Sequence, residues 1–260
     1  MNRRPTAVRW SHPWPDDQGC FETMRAYDGR IAALDAHVER LWASARALRL
    51  PVEANPSSAK RVILTALTRS RLRSALVRVQ LVGAQLRVIV EPFQSLPSQW
   101  FRDGISAVTV PTRKTPIAAI DYQSKASARL GSVLATIEAT QRGGIEALQL
   151  GREGWVTETT VSNLFAVRGR VVTTPPTHLG VLAGVTRQLV MTAARQGGLR
   201  VAEQPLTRHD CYNAQEVFLS STTKEILPVV RLDGRVIGAG CPGPISRRLH
   251  EVLQRLIKDA

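Results

Sequence analysis

Two residues about thirty positions apart have the types to do chemistry together, Lys125 and Glu158. Lysine is scarce here: only Lys60, Lys114, Lys125, Lys224 and Lys258 occur among the 35 basic residues. Lys125 stands where a loop feeds a helix, ahead of Ala126-Ser127-Ala128-Arg129-Leu130. A lysine desolvated there has a lowered pKa and can form a Schiff base. The plain alternative is a surface lysine. Glu158 lies between an apolar strand and the hydroxyls of Thr157, Thr159, Thr160 and Ser162. A buried glutamate needs a positive or donor partner, and a protonated ring nitrogen would serve. The alternative is a glutamate that caps a turn.

Three other segments have the makings of an anion site. In Leu182-Ala183-Gly184-Val185-Thr186-Arg187, a glycine before a helix lets backbone approach a ligand, and the first amides are free to bind an anion. The spacing is neither that of a P-loop nor of a dinucleotide fingerprint, so an ordinary helix start explains it equally. Ser220-Ser221-Thr222-Thr223 offers hydroxyls at a strand end. Glu225, three residues after Thr222, would also fit a helix capping box. Arg40 can pair with an anion bidentately or simply face water.

These residues need a scaffold, and the chain is long enough for one large domain or two small ones. The hydrophobic fraction of 43% is that of a soluble globular protein. No apolar run is long enough to span a membrane, and no signal peptide is read at the start. Cys20, Cys211 and Cys241 are far apart and odd in number, so neither a disulfide framework nor a zinc site is expected, and the location expected is cytoplasmic. The net charge of +14 invites a nucleic-acid reading. The charge is spread along the chain without a block of five or six like charges, so attraction of anionic substrates is the more modest reading.

Residues 1–18 are rich in Pro and Trp and lack periodicity. A strand over Gly19–Tyr27 turns at Asp28-Gly29, a hairpin signal. Asp35 is expected to cap a helix running to about Leu48. A second helix spans Pro56–Ser70, with Val62, Ile63, Ala66 and Leu67 inward. Strands follow over Leu76–Val82, Leu86–Glu91 and Ile105–Pro111, with 92–99 a loop. This gives a small α+β domain at 1–111. The polar run from Thr112 is the expected linker, 112–118, and 119–260 a second, larger domain. There the pattern predicts a helix over Ser127–Gln141, strands at Ile145–Leu150, Trp155–Thr157, Leu164–Val167 and Arg170–Thr173, and a helix over Val185–Gln196. Strands Glu216–Ser220 and Pro228–Leu232 and an amphipathic helix from Pro244 complete it.

Taken in order, the segments from Gly19 to about Leu249 resemble the class IV pyridoxal-phosphate enzymes. That family holds D-amino-acid and branched-chain aminotransferases and aminodeoxychorismate lyases. The motifs are Phe21-Glu22-Thr23-Met24-Arg25, His37-Val38-Glu39-Arg40-Leu41, Lys125, Glu158 to Asn163-Leu164-Phe165, Gly184-Val185-Thr186-Arg187, Glu216-Val217-Phe218 and Ser221-Thr222-Thr223-Lys224-Glu225-Ile226.

The resemblance implies an α/β fold of α+β character, the two-domain type IV pyridoxal-phosphate fold: a small α/β domain plus a larger one with a barrel-like sheet, in a homodimer. It implies pyridoxal 5'-phosphate as cofactor, with Lys125 as Schiff-base lysine and proton shuttle. Glu158 would hold the pyridine nitrogen, and Arg40, the amides of Val185 and Thr186, and Thr222 the phosphate. Phe21, Arg78, Arg87 and Thr223 are the candidate substrate contacts. The activity implied is transfer of an amino group from a small amino acid, D- or branched-chain, to a 2-keto acid. The Arg-x-His strand motif of the D-enzymes and the tyrosine- and glycine-containing signature of the branched-chain enzymes are both missing near Leu76–Val90. Arg129-Leu130 and Gly19-Cys20-Phe21 resemble some aminodeoxychorismate lyases, which release pyruvate and p-aminobenzoate. That activity is the alternative, and a basic nucleic-acid-binding protein a remote one. Substrates are expected to be small amino and keto acids, with neither nucleic acid nor membrane as partner.

Overall fold

The computed structural model describes residues 19–117 and 123–259. The irregular opening expected at 1–18, and the end of the expected linker, lie outside them. The first unit is a four-stranded sheet ordered β2-β1-β3-β4, from β1 (Gly19–Tyr27), β2 (Arg30–Ile31), β3 (Ala75–Val82) and β4 (Gln85–Pro92). The alternation of β1 and β3 sends Cys20, Met24, Val77, Val79 and Leu81 to one face. Helices α1 (Leu34–Ala47) and α2 (Pro56–Ser70) cover that face with Val38, Leu41, Trp42, Ala45, Ala59, Ile63 and Leu67. Asp28-Gly29 turns with both residues at positive φ, as a two-residue hairpin turn requires.

Two local expectations fail here. The N-cap of α1 is Ala33, in the left-handed region and without a side-chain cap; Asp35 sits inside the first turn and pairs with Lys60. Val62 is 49% exposed, because the inward stripe of α2 runs through Ala59, Ile63 and Leu67.

The second unit holds α3 (Ser98–Asp103), β5 (Ile105–Thr109), α4 (Leu130–Gln141), β6 (Glu146–Leu150), β7 (Val156–Thr159), β8 (Asn163–Arg168) and β9 (Val171–Thr174). It continues with α5 (Val185–Gln196), β10 (Arg200–Glu203), α6 (Arg208–Tyr212), β11 (Glu216–Ser221), β12 (Glu225–Leu232), β13 (Arg235–Val236) and α7 (Pro244–Asp259). Six strands form a closed ring, β7-β8-β11-β12-β5-β6, with β9 and β10 extending from β8. The ring closes at one register pair, Glu158 opposite Asn163. Alternation again divides the faces. Leu164, Ala166, Val217 and Leu219 fill the barrel, whereas Phe165, Val167 and Phe218 face outward onto α5 and α7.

Strand β5 is hydrogen-bonded to β12 and β6, so it belongs to the barrel and not to the first sheet. The change of sheet therefore falls between β4 and α3, upstream of the 112–118 stretch. Strand periodicity marks β5 correctly but carries no information about its neighbours. The sequence pattern also passes over α3, α6 and β10, each too short to display a period. Thr222 does not open a helical cap: residues 222–224 turn between β11 and β12, and Glu225 begins a strand.

The two units are tied by Glu225. Its Oε1 accepts from Arg25 Nη1 at 2.6 Å and from Tyr27 Oη at 2.9 Å, both on β1. Its Oε2 lies 2.7 Å from His250 Nε2 on α7. Among the described residues no helix is long and apolar enough to cross a membrane.

Candidate active site

Lys125 is fixed by β1 from below. Phe21 N donates to Lys125 O at 3.0 Å, Ser127 N donates to Gly19 O at 2.8 Å, and Cys20 and Ala126 form an antiparallel bridge. Lys125 N donates to Ser44 Oγ on α1 at 3.0 Å. With the backbone of 125–127 held at three points, the Lys125 side chain extends over the Phe21 ring, Nζ being 5.0 Å from the centroid. Burial lowers the ammonium to about 8, helped by the charges of Arg40 and Arg129 and opposed by Glu22 and Glu158. A pKa there leaves roughly a tenth of the amine neutral at pH 7. The surface alternative does not hold.

Glu158 sits on β7 at the closing pair of the barrel and is 7% exposed. Its Oε2 accepts from Asn163 Nδ2 at 3.1 Å and from Leu182 N at 3.2 Å. Its Oε1 accepts from Lys114 Nζ. It is thus a strand residue with three donors rather than a turn cap. The buried carboxylate has the charged partner that desolvation demands, and that partner comes from the stretch read as a linker. A second buried pair lies close by, Lys224 Nζ with Glu146 Oε1, with Ser162 Oγ at 3.0 Å.

Arg40 does not face water. Its Nε and Nη2 donate to Glu22 Oε1 and Oε2 at 2.7 and 2.8 Å, and Nη1 donates to Ala183 O at 2.8 Å. Glu22 is fully buried. Burial alone would raise its pKa; hydrogen bonds from His37 and Arg40, with their charge, bring it down to about 2. Burial pushes His37 below its ordinary value, opposed by the hydrogen bond and charge of Glu22, whose Oε2 lies 2.8 Å from His37 Nδ1. The result is an arginine locked in one orientation.

Opposite Arg40 lies the start of α5, whose first amides have no side-chain cap. Gly184 is required there also by packing: a Cβ would fall 2.1 Å from Asn163 Oδ1. The glycine admits Asn163, which in turn donates to Glu158, and it also lines the same cavity as Arg40 and Lys125. Beside it, Ser220 Oγ and Ser221 Oγ are buried without a hydrogen-bond partner. Orphaned buried hydroxyls beside an uncapped helix start suit an anion with several acceptor oxygens.

Arg40, Lys125, Glu158, Val185, Thr186 and Thr222 all line one cavity of about 160 Å³. Phe21, Arg78 and Thr223 line a second cavity of about 450 Å³, which shares Arg40, Lys125, Arg129 and Thr222 with the first. Arg87 lines neither. It projects from β4, one strand farther out, opposite Gln80 in register, and hydrogen-bonds Gln85. It is removed from the candidate site.

The sequence model of the family described as Amino-transferase class IV matches residues 19–232. The chain belongs to that family. A Methanocaldococcus jannaschii protein provisionally named branched-chain-amino-acid aminotransferase is 36% identical over 244 residues, covering 90% of this chain and 85% of its own. The D-alanine aminotransferase of Bacillus licheniformis is 29% identical over 253 residues, covering 92% and 87%. A T.th. branched-chain amino acid aminotransferase, solved with pyridoxamine 5'-phosphate, superposes with a TM-score of 0.87 at 30% identity, covering 94% of this chain and 87% of that one.

The chain is therefore a class IV aminotransferase with the type IV two-domain fold. The lyase alternative is not favoured, since these relatives are named as aminotransferases. Sequence reasoning missed Lys114, Glu22, His37 and Asn163 as members of this aminotransferase site. The signal available for Lys114 was scarcity, as one of only five lysines in the chain; the structure buries it at 9% exposure.

Proposed function

We propose that this aminotransferase binds pyridoxal 5'-phosphate in the smaller cavity through Lys125 and moves the amino group of a small amino acid, D- or branched-chain, to a 2-keto acid. The observation that carries this reading is convergence. A desolvated amine, a buried carboxylate and a set of anion donors line one cavity. The relatives' names and the pyridoxamine 5'-phosphate in one of their structures support it.

When bound, the cofactor supplies an electron sink for the bond-breaking step. The chain's residues do the rest. Lys125 Nζ would hold the cofactor covalently and, when free, would take and return a proton at Nζ. Its lowered pKa suits it to both tasks. Glu158 offers its carboxylate to the ring nitrogen and keeps a proton there. Arg40, the amides of Val185 and Thr186, and Thr222, with Ser220 and Ser221, hold the phosphate. Phe21, on β1, forms the floor beneath Lys125 Nζ.

The working form is a homodimer on this reading. Leu130, Val133, Leu134 and Ile137 make an i, i+3, i+4, i+7 stripe on α4, each at least 45% exposed. Sedimentation of the protein and of a Val133→Glu/Leu134→Glu variant tests it: a dimer that dissociates is expected, and a monomeric parent contradicts it. The cytoplasm is the compartment that fits its three free cysteines.

The reading is tested by incubating the loaded protein with D-alanine, L-leucine and other small amino acids, with and without a 2-keto acid. Amino transfer that requires the keto acid is expected. Product formed at the same rate without an acceptor overturns it.

A further inference from the structure

We propose that Arg129 is the anchor for the substrate α-carboxylate and makes the enzyme selective for amino acids over simple amines. The inference rests on the aminotransferase reading above. Its ground is the larger cavity. The cations lining it are Arg40, Arg78, Lys125 and Arg129, and no carboxylate among the described residues lines it. Three of the four are accounted for. Arg40 is forked onto Glu22. Lys125 is the amine that reacts. Arg78 is half exposed and 3.8 Å from Glu91.

Arg129 is different. Its Nη2 donates to Thr160 O, and it forms no ion pair among the described residues. A guanidinium has five N–H donors in a planar fork, so most of this one remains available. Burial lowers its pKa, and the charge of Glu158 offsets only part of that cost. A carboxylate arriving in the cavity supplies that anion, in the bidentate geometry that suits Arg.

The position is also right. Lys125 Nζ and Arg129 Cζ lie 5.0 and 5.7 Å from the centroid of the same Phe21 ring. Arg129 is near enough for its charge to lower the Lys125 ammonium. An α-amino acid carries its carboxylate two bonds from its amine. The amine must meet the group held by Lys125, and the carboxylate then falls beside Arg129. Phe21, Leu76 and Val161 give the same cavity apolar wall for a side chain.

The test uses the cofactor-loaded enzyme, its Arg129→Gln and Arg129→Lys variants, and three readouts. The first is the visible spectrum with borohydride labelling at Lys125. The second is the single-turnover rate with an amino acid and with the matching primary amine that lacks the carboxylate. The third is binding of hexanoate, a carboxylic acid that cannot react, read by calorimetry. Arg129→Gln is expected to keep the Lys125 label, to lose about 100-fold in kcat/KM on the amino acid, mainly through KM, and to lose hexanoate binding. Its loss on the amino acid should exceed its loss on the matching amine by at least about tenfold, and Arg129→Lys should recover part of that difference. Hexanoate bound equally by parent and Arg129→Gln overturns the proposal, as does an equal loss on amine and amino acid. Should Arg129→Gln not fold, the parent decides: it must bind hexanoate and not 1-hexanol, and failure to discriminate overturns the proposal. A parent that shows no Lys125 label sinks the underlying reading instead, so the two failures are told apart.

Discussion

Glu22 on β1 grips Arg40 on α1 through two parallel hydrogen bonds of 2.7 and 2.8 Å. The pair fixes the Arg40 guanidinium against the start of α5 through Ala183 O. Glu22→Gln keeps the shape and removes the charge, leaving Arg40 partly buried without its counter-ion. Breaking a buried pair in this way costs about 3 kcal/mol. Urea unfolding should show that loss, together with weaker binding of pyridoxal 5'-phosphate. Unchanged stability would contradict the clamp.

Acid sensitivity follows from Glu22 and Glu225, both lowered from 4.5 to about 2. In each case burial opposes the shift and hydrogen bonds with nearby positive charge overcome it: His37 and Arg40 for Glu22; His250, Tyr27 and Arg25 for Glu225. A folded-state pKa below the unfolded one contributes stability that is complete above pH 4.5 and lost as pH falls toward 2. Circular dichroism should place acid unfolding in that window, and Glu225→Gln should flatten the dependence.

Capture of the cofactor by the apoenzyme needs the neutral Lys125 amine. With the ammonium at about 8, the capture rate should rise roughly tenfold per pH unit below 8 and level above it. Stopped-flow absorbance at a series of pH values measures this. Arg129→Gln should move the inflection upward, because the Arg129 charge helps to lower Lys125. An inflection near the ordinary lysine value of 10.5 in the parent would contradict the burial of this lysine.

Lys114 gives Glu158 its charged partner. Lys114→Met leaves that carboxylate with two neutral donors, Asn163 and Leu182. The apoenzyme should lose about 3 kcal/mol. The loaded enzyme should lose less, since a protonated ring nitrogen then pairs with Glu158. Unfolding of both forms, with and without pyridoxal 5'-phosphate, measures the difference. Equal losses would mean that Glu158 does not meet the ring.

Much of this site was legible because its residues stand in ordered motifs. Arg40, Lys125, Glu158, Val185, Thr186 and Thr222 do line one cavity. What the sequence concealed is pairing at long range. Lys114 and Glu158 are 44 positions apart, and Glu22 and Arg40 are 18. A period of two or 3.6 reports which face of an element is buried, not what covers it. For the same reason β5 was visible as a strand and invisible as a barrel strand, and Arg87 could not be told from Arg78. Val62 was misread because it adjoins Ile63 in the apolar pattern, whereas the buried stripe of α2 runs through Ala59, Ile63 and Leu67 and leaves Val62 49% exposed.

Whether Lys125 carries the cofactor is decided by borohydride reduction of the protein loaded with pyridoxal 5'-phosphate, followed by peptide mapping. A yellow protein is expected, its colour lost on reduction, with a single tag on Lys125. A tag on Lys114 or Lys224, or a protein that stays colourless after incubation with the cofactor, would contradict the assignment.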